Sequence, residues 1–287
     1  MMRVGRIPYI NTYPVYGAID RGYVPLDGEL VDGVPTALNA MMAQGSLDVS
    51  VVSAVEYARD AERYLLLPEL AISCDGPVRS VMLFSSRPAS ELDGARVLVS
   101  RSSMTSVHLL ELLFEHVWRA QPVFVPGDAE AEALARDGAA ACEARLVIGD
   151  AALMLQAAGH PVAEAHGRAY PFVYDLGAEW RDWTGLPFVF AVWVAQRSTP
   201  VREALAVHAS LIQSRDWGLA HLDTLAAQAA TATGVPVRDC RRYFDGLDWR
   251  LSLRDLEGLS EFFRRLALAG RVPRGTLAFL PAARTGT

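Results

Sequence analysis

Two strand-length runs constrain this chain more than any other feature: Val78 to Ser85, and Phe188 to Ala195 after the turn at Gly185, Leu186 and Pro187. Roughly 110 residues separate their starts, and the stretch between them reads as a self-contained alternation of strands and helices. A chain gives this pattern when it leaves a first domain along the earlier strand and returns along the later one. The predicted layout is a discontinuous domain of residues 1–86 and 189–287 and an inserted domain of residues 87–188, hinged by two crossover strands. A length of 287 residues suits two domains of ordinary size.

The same local grammar recurs along the chain. Leu38, Met41 and Met42 share a helical face that Gly45 stops, Val49 to Val52 form a short buried strand, and Ser53 opens the next helix. Ser53 and Glu56 have capping-box spacing, in which the hydroxyl accepts from the N3 amide and the carboxylate returns to the cap amide. A strand over Ala95 to Ser100 leads through a hydroxyl-rich loop to a helix with Leu109, Leu110, Leu113 and Val117 on one face. A strand over Leu146 to Gly149 leads to Asp150, a helix cap for Leu153, Met154 and Ala157. After Thr199 and Pro200, at cap and N1, the tail reads as helical. There Ser252 and Asp255 open a helix burying Leu256, Leu259, Phe262, Phe263 and Leu266. The fold class is α/β, with two mixed, mostly parallel sheets covered by helices on both faces. Ligands of such folds sit in the cleft facing the carboxyl ends of the strands.

Composition removes several chemistries. All 27 basic residues are arginine, so no Schiff-base, pyridoxal-anchoring or P-loop lysine exists. A formal net charge of -6 argues against a nucleic-acid partner. Cys74, Cys142 and Cys240 lack CxxC spacing and read as buried thiols. The six histidines, His108, His116, His160, His166, His208 and His221, show no metal-ligand spacing, so no metal is expected. GxGxxG, GxxxxGK and GxSxG motifs do not occur. The opening residues lack the apolar region of a signal peptide and no run is long enough to span a membrane, which predicts a cytoplasmic protein without a membrane partner.

Candidate site residues gather in three places. Ser100, Ser102, Ser103, Thr105 and Ser106 put five hydroxyls between a strand end and a helix start, where they and the backbone amides can converge on a carboxylate, or simply cap the helix. The segment Arg6 to Pro14 combines Tyr9, Tyr13 and two prolines with Asn11, one of only two asparagines in the chain, whose carboxamide can donate and accept for a ligand or hold a turn. Arg79 and Ser80 can offer a guanidinium fork and a hydroxyl at the hinge, or a solvated strand start. Trp180 and Trp183 read as core aromatics or a cleft lid.

With these residues in view, Arg6 to Pro14, Gly33 to Pro35 with Leu38, Asp48 to Tyr57, Val78 to Ser85 and Ser100 to Ser106 together resemble the chorismate dehydratase family of menaquinone biosynthesis by the futalosine route. The resemblance runs in order over nearly the whole chain and is strongest at its start. It implies a two-lobed fold like that of type II periplasmic binding proteins. It also implies a cofactor-free loss of water from chorismate, a small dicarboxylate, to give 3-[(1-carboxyvinyl)oxy]benzoate. Asn11 and Ser80 are implied as the polar groups nearest the reacting ring. Tyr9, Ser53, Arg79, Ser102, Ser103, Thr105, Gly149 and Asp150 are the expected substrate-binding set, with the two lobes closing to exclude water. A carboxylate takes the ring proton, either Asp150, Asp175 or the enolpyruvyl carboxylate of the substrate. The competing readings are a noncatalytic solute-binding protein for a small anion and, less consistent with the residues present, a pyrimidine-precursor synthase of the same fold.

Overall fold

The computed structural model describes residues 1–130, 142–157 and 170–281, so His160 and His166 lie outside the described residues. In chain order the elements begin with β1 (Arg3–Arg6), a 3-10 turn at Ile10–Thr12, α1 (Tyr13–Asp20), β2 (Glu29–Asp32) and α2 (Pro35–Ala43). There follow β3 (Val49–Ser53), α3 (Ala54–Arg59), β4 (Tyr64–Cys74), β5 (Val81–Ser85), β6 (Arg96–Ser100) and α4 (Met104–Leu113), which passes into a π-helical turn at Phe114–Trp118. Next come β7 (Val123–Gly127), β8 (Ala144–Ile148), α5 (Gly149–Ala157), β9 (Phe172–Asp175), α6 (Leu176–Thr184) and β10 (Phe188–Gln196). The chain continues with α7 (Val201–Ala220), α8 (Leu222–Thr233), α9 (Val237–Asp245) and α10 (Leu253–Leu268).

Internal contacts divide the chain into two compact units. Unit 1 is Met1–Ser73, Val189–Leu225 and Asp248–Thr287; unit 2 is Cys74–Phe188 and Ala226–Leu247. This division differs from breaks at 86 and 189 in two respects. Strand β5 pairs antiparallel with β8 and β9, which puts Val81–Ser85 in the second unit. Residues Ala226–Leu247 also join that unit, so the chain passes between units four times rather than twice.

Unit 1 has the strand order β2-β1-β3-β10-β4 and unit 2 the order β7-β6-β8-β5-β9. In each, three neighbouring strands run parallel and the strand entering beside them runs antiparallel, as β10 against β3 and β5 against β8. Every residue of β3, β5, β8 and β10 is buried. Strands covered on both faces show continuous apolar runs rather than alternation, which is why these were readable. Met82, Phe84, Val147, Ala151, Ala152 and Tyr170 form one core cluster of unit 2.

Helix starts follow their side chains in part. Ser252 and Asp255 make the full reciprocal capping box of α10. Ser53 caps α3 by accepting from Glu56 N at 3.1 Å, but its own amide donates to Asn39 Oδ1, and Glu56 accepts from the Tyr64 hydroxyl instead. Pro200, not Thr199, precedes α7, and the Thr199 hydroxyl donates to Asp48 O. Asp150 lies within the first turn of α5 rather than at its cap.

In unit 1, α1 packs against α7 through an approach that only glycine permits: a Cβ on Gly218 would sit 2.1 Å from Pro14 O. Backbone cannot yield as a flexible side chain can, so Gly218→Ala is expected to destabilise the fold by about 1–3 kcal/mol. A urea titration with an unchanged midpoint would contradict this.

Candidate active site

In unit 2 the sheet register gathers the candidates along one edge. Ser100 and Ile148 end the parallel strands β6 and β8, while Val81 opens the antiparallel β5 opposite Ile148, and Asp175 pairs with Met82. Loops leaving this edge therefore carry Ser102 and Ser103, Gly149 and Asp150, and Arg79 and Ser80 to the carboxyl ends of the parallel strands.

The Val78–Ser80 segment is held from several sides. Asp175 caps α6 by accepting at Oδ1 from Gly177 N and Ala178 N, and the same carboxylate accepts from Val78 N at 3.0 Å and Arg79 N at 2.7 Å. Arg79 is held at φ 62°, a left-handed conformation that is unfavourable for a residue with a side chain. Gln156 Nε2 donates to Arg79 O at 2.8 Å, and Gly149 N donates to Ser80 O at 2.7 Å. Gly149 itself has φ 64°, where glycine carries no Cβ penalty. Ser80 is buried, and its Oγ accepts from the Tyr243 hydroxyl at 2.9 Å. The Arg79 guanidinium turns back to Pro77 O, so it is the backbone of Arg79 that the site fixes.

The hydroxyl loop divides into structural and available groups. Ser100 Oγ accepts from Ser102 N, and Ser103 caps α4, accepting from Ser106 N while donating to Ser106 Oγ. Thr105 is buried in the first turn of α4. Ser102 is half-buried, and its hydroxyl makes no hydrogen bond among the described residues. Glu130, which no local sequence pattern distinguishes, accepts from Ile148 N at 3.3 Å and is hydrogen-bonded to the Ser100 side chain. Burial pushes its carboxyl above the ordinary glutamate range.

Unit 1 has an analogous edge, where Tyr9 and Asn11 follow β1 and Ser53 ends β3. Thr12 Oγ1 donates to Ile7 O and Tyr9 O, and Trp249 Nε1 donates to Asn11 O at 2.6 Å, so the backbone of this turn is fixed. The side-chain oxygen of Asn11 is buried without a hydrogen-bond partner among the described residues. Both acceptor positions of Ser53 Oγ are filled, by Asn39 Nδ2 and Glu56 N, which leaves its O–H as a donor.

Two earlier expectations change. Asp175 does not stand as a free base, because both its oxygens accept backbone amides. Trp180 is fully buried, donates to Pro187 O and packs edge-on against Phe188, so it is core rather than lid, while Trp183 stacks on His116. The three cysteines are buried thiols. Among the described residues no helix is long and apolar enough to cross a membrane, and no group of three or more His, Cys, Asp or Glu side chains could hold a metal ion.

Comparison with known proteins bears on this arrangement. The chain is 32% identical over 271 residues to chorismate dehydratase from Thermus thermophilus, covering 91% of this chain and 96% of that protein. It is 28% identical over 195 residues to chorismate dehydratase from Campylobacter jejuni, covering 66% of each chain. A crystal structure of an Archaeoglobus fulgidus protein superposes with a TM-score of 0.73 at 19% identity, covering 94% of this chain and 98% of that one. The periplasmic aliphatic sulphonate binding protein of Escherichia coli superposes with a TM-score of 0.61 at 14% identity, covering 95% and 94%. At such identities these likenesses show the periplasmic-binding-protein fold alone, and binding by those proteins says nothing of a ligand here. Residues 2–268 match the family described as menaquinone biosynthesis, and with the full-length relative from Thermus this places the chain in the menaquinone biosynthesis family.

Proposed function

We propose that the chain is a cytoplasmic hydro-lyase that converts chorismate to 3-[(1-carboxyvinyl)oxy]benzoate and water. The observation that carries this reading is the likeness to a chorismate dehydratase over 96% of that protein's length. The chemistry balances without an oxidant: one ring C–H proton and the ring hydroxyl leave together as water, and the remaining ring is aromatic. Aromatisation supplies the driving force, so the protein's task is to orient the substrate, accept a proton and assist the departing hydroxide.

The residues present suit that task. Ser80 and Asn11 are assigned to the reacting ring as hydrogen-bonding groups, since neither side chain is a base at neutral pH. The Ser102 hydroxyl and the amides opening α4 suit a carboxylate, and so does the Ser53 O–H. With Asp175 committed to backbone amides, the acceptor of the ring proton is assigned to Asp150 or to the enolpyruvyl carboxylate of the substrate.

Incubating the full chain with chorismate, with chelator present and no nucleotide or metal added, is expected to give a product lighter by one water and carrying aromatic absorbance. Binding of chorismate without turnover would favour a solute-binding protein and overturn the assignment.

A further inference from the structure

Ser80 and Tyr243 lie 163 residues apart in sequence and come together within unit 2. Tyr243 sits on α9, whose buried face is Cys240, Tyr243 and Phe244, the spacing of one amphipathic helical stripe. The end of α9 lies directly over the Arg79–Ser80 segment: a Cβ on Gly246 would meet the Arg79 guanidinium at 2.4 Å. Tyr243 is 1% exposed, so its hydroxyl has no solvent to turn to, and Ser80 is 3% exposed.

The direction of their hydrogen bond follows from chemistry. A phenol is a stronger acid than an aliphatic alcohol, and the buried Tyr243 proton has Ser80 Oγ as its acceptor at 2.9 Å. A hydroxyl has one proton and two lone pairs, and this bond takes up a lone pair of Ser80. Its proton remains, without an acceptor among the described residues. Burial, with the charges of Asp150 and Asp175 acting in the same direction, pushes the Tyr243 phenol above its ordinary range, so it stays a neutral donor and does not give its proton away.

We infer that Tyr243 is a positioning residue for the dehydration: its O–H, donated to Ser80 Oγ, turns the Ser80 proton outward and presents it to the departing hydroxyl of the substrate. The inference rests on the dehydratase reading above and adds to it the group that sets the direction of the Ser80 hydroxyl. The phenol also withdraws electron density from Ser80 Oγ, which strengthens Ser80 as a donor. No proton leaves Tyr243, so the stoichiometry of the reaction is unchanged.

A double-mutant cycle on chorismate turnover tests this, using Tyr243→Phe, Ser80→Ala and the double variant. Phenylalanine keeps the ring volume in the α9 face, and thermal unfolding of each variant checks that the fold is kept. Tyr243→Phe is expected to lower kcat by about 20-fold with KM changed by less than about threefold, because the lost direction matters when the hydroxyl departs. In the Ser80→Ala background the same change is expected to have almost no effect, since there is no hydroxyl left to direct. An equal loss from Tyr243→Phe in both backgrounds would overturn the inference, since a purely structural tyrosine behaves that way. Normal kcat in either single variant, with wild type active, would overturn it and leave the dehydratase reading standing. A wild-type chain inert toward chorismate would instead remove the reading itself.

Discussion

Asp175→Ala is expected to lower the unfolding free energy by about 3 kcal/mol and to remove most turnover. Four backbone amides converge on this carboxylate: those of Val78, Arg79, Gly177 and Ala178. A hydrogen bond to a charged acceptor contributes about 1.5–3 kcal/mol, but the four are not additive, because they share one carboxylate. Val78 is buried, and its amide would be left without an acceptor. Arg79 would lose the bond that holds its left-handed backbone, and the segment carrying Ser80 would relax with it.

The asparagine variant separates the two jobs of Asp175. Oδ1 serves Val78, Gly177 and Ala178, while Oδ2 serves Arg79 alone. Asp175→Asn keeps an acceptor for the first three and turns an N–H toward the fourth donor. It is expected to lose about 1–2 kcal/mol, yet to lower kcat nearly as far as alanine does. Urea unfolding and steady-state turnover measured on the same preparations check both. If Asp175→Asn keeps wild-type turnover, the Arg79 amide bond has no part in placing Ser80.

What the sequence made legible and what it hid follow from the range of the interactions. Strands β5 and β10 could be read because burial on both faces writes an apolar run into the chain itself. The capping box at Ser252 could be read because both partners lie within one turn. The box at Ser53 was half right: Asn39, from a preceding helix, takes the Ser53 amide, and nothing local to Ser53 signals that competition. Strand β4 carries no such run because Pro68 and Glu69 interrupt it, with Glu69 at φ 57° breaking the alternation. The return of Ala226–Leu247 to unit 2 was invisible for the same reason as the Tyr243–Ser80 bond, since the apolar stripe of α9 marks a buried face without saying which core it joins. Hydroxyls at strand ends could be read as a candidate site, while the side chains that hydrogen-bond to two of them, Tyr243 to Ser80 and Asn39 to Ser53, lie at a distance in sequence.

Asn11→Ala is expected to lower kcat by at least about 100-fold while leaving stability unchanged or slightly raised. The two effects have one origin. Asn11 Oδ1 is buried without a partner among the described residues, and an unsatisfied buried polar atom costs a folded protein about 1–3 kcal/mol. The alanine variant removes that oxygen and keeps the backbone bond from Trp249 Nε1 to Asn11 O, so the turn itself has no reason to move. A residue whose role was to hold the turn through its side chain would behave in the opposite way, losing stability on truncation. The pairing of an unfolding curve with a turnover assay on one variant therefore distinguishes a ligand-facing carboxamide from a structural one. A drop of more than about 1 kcal/mol with turnover within about threefold of wild type would return Asn11 to the scaffold.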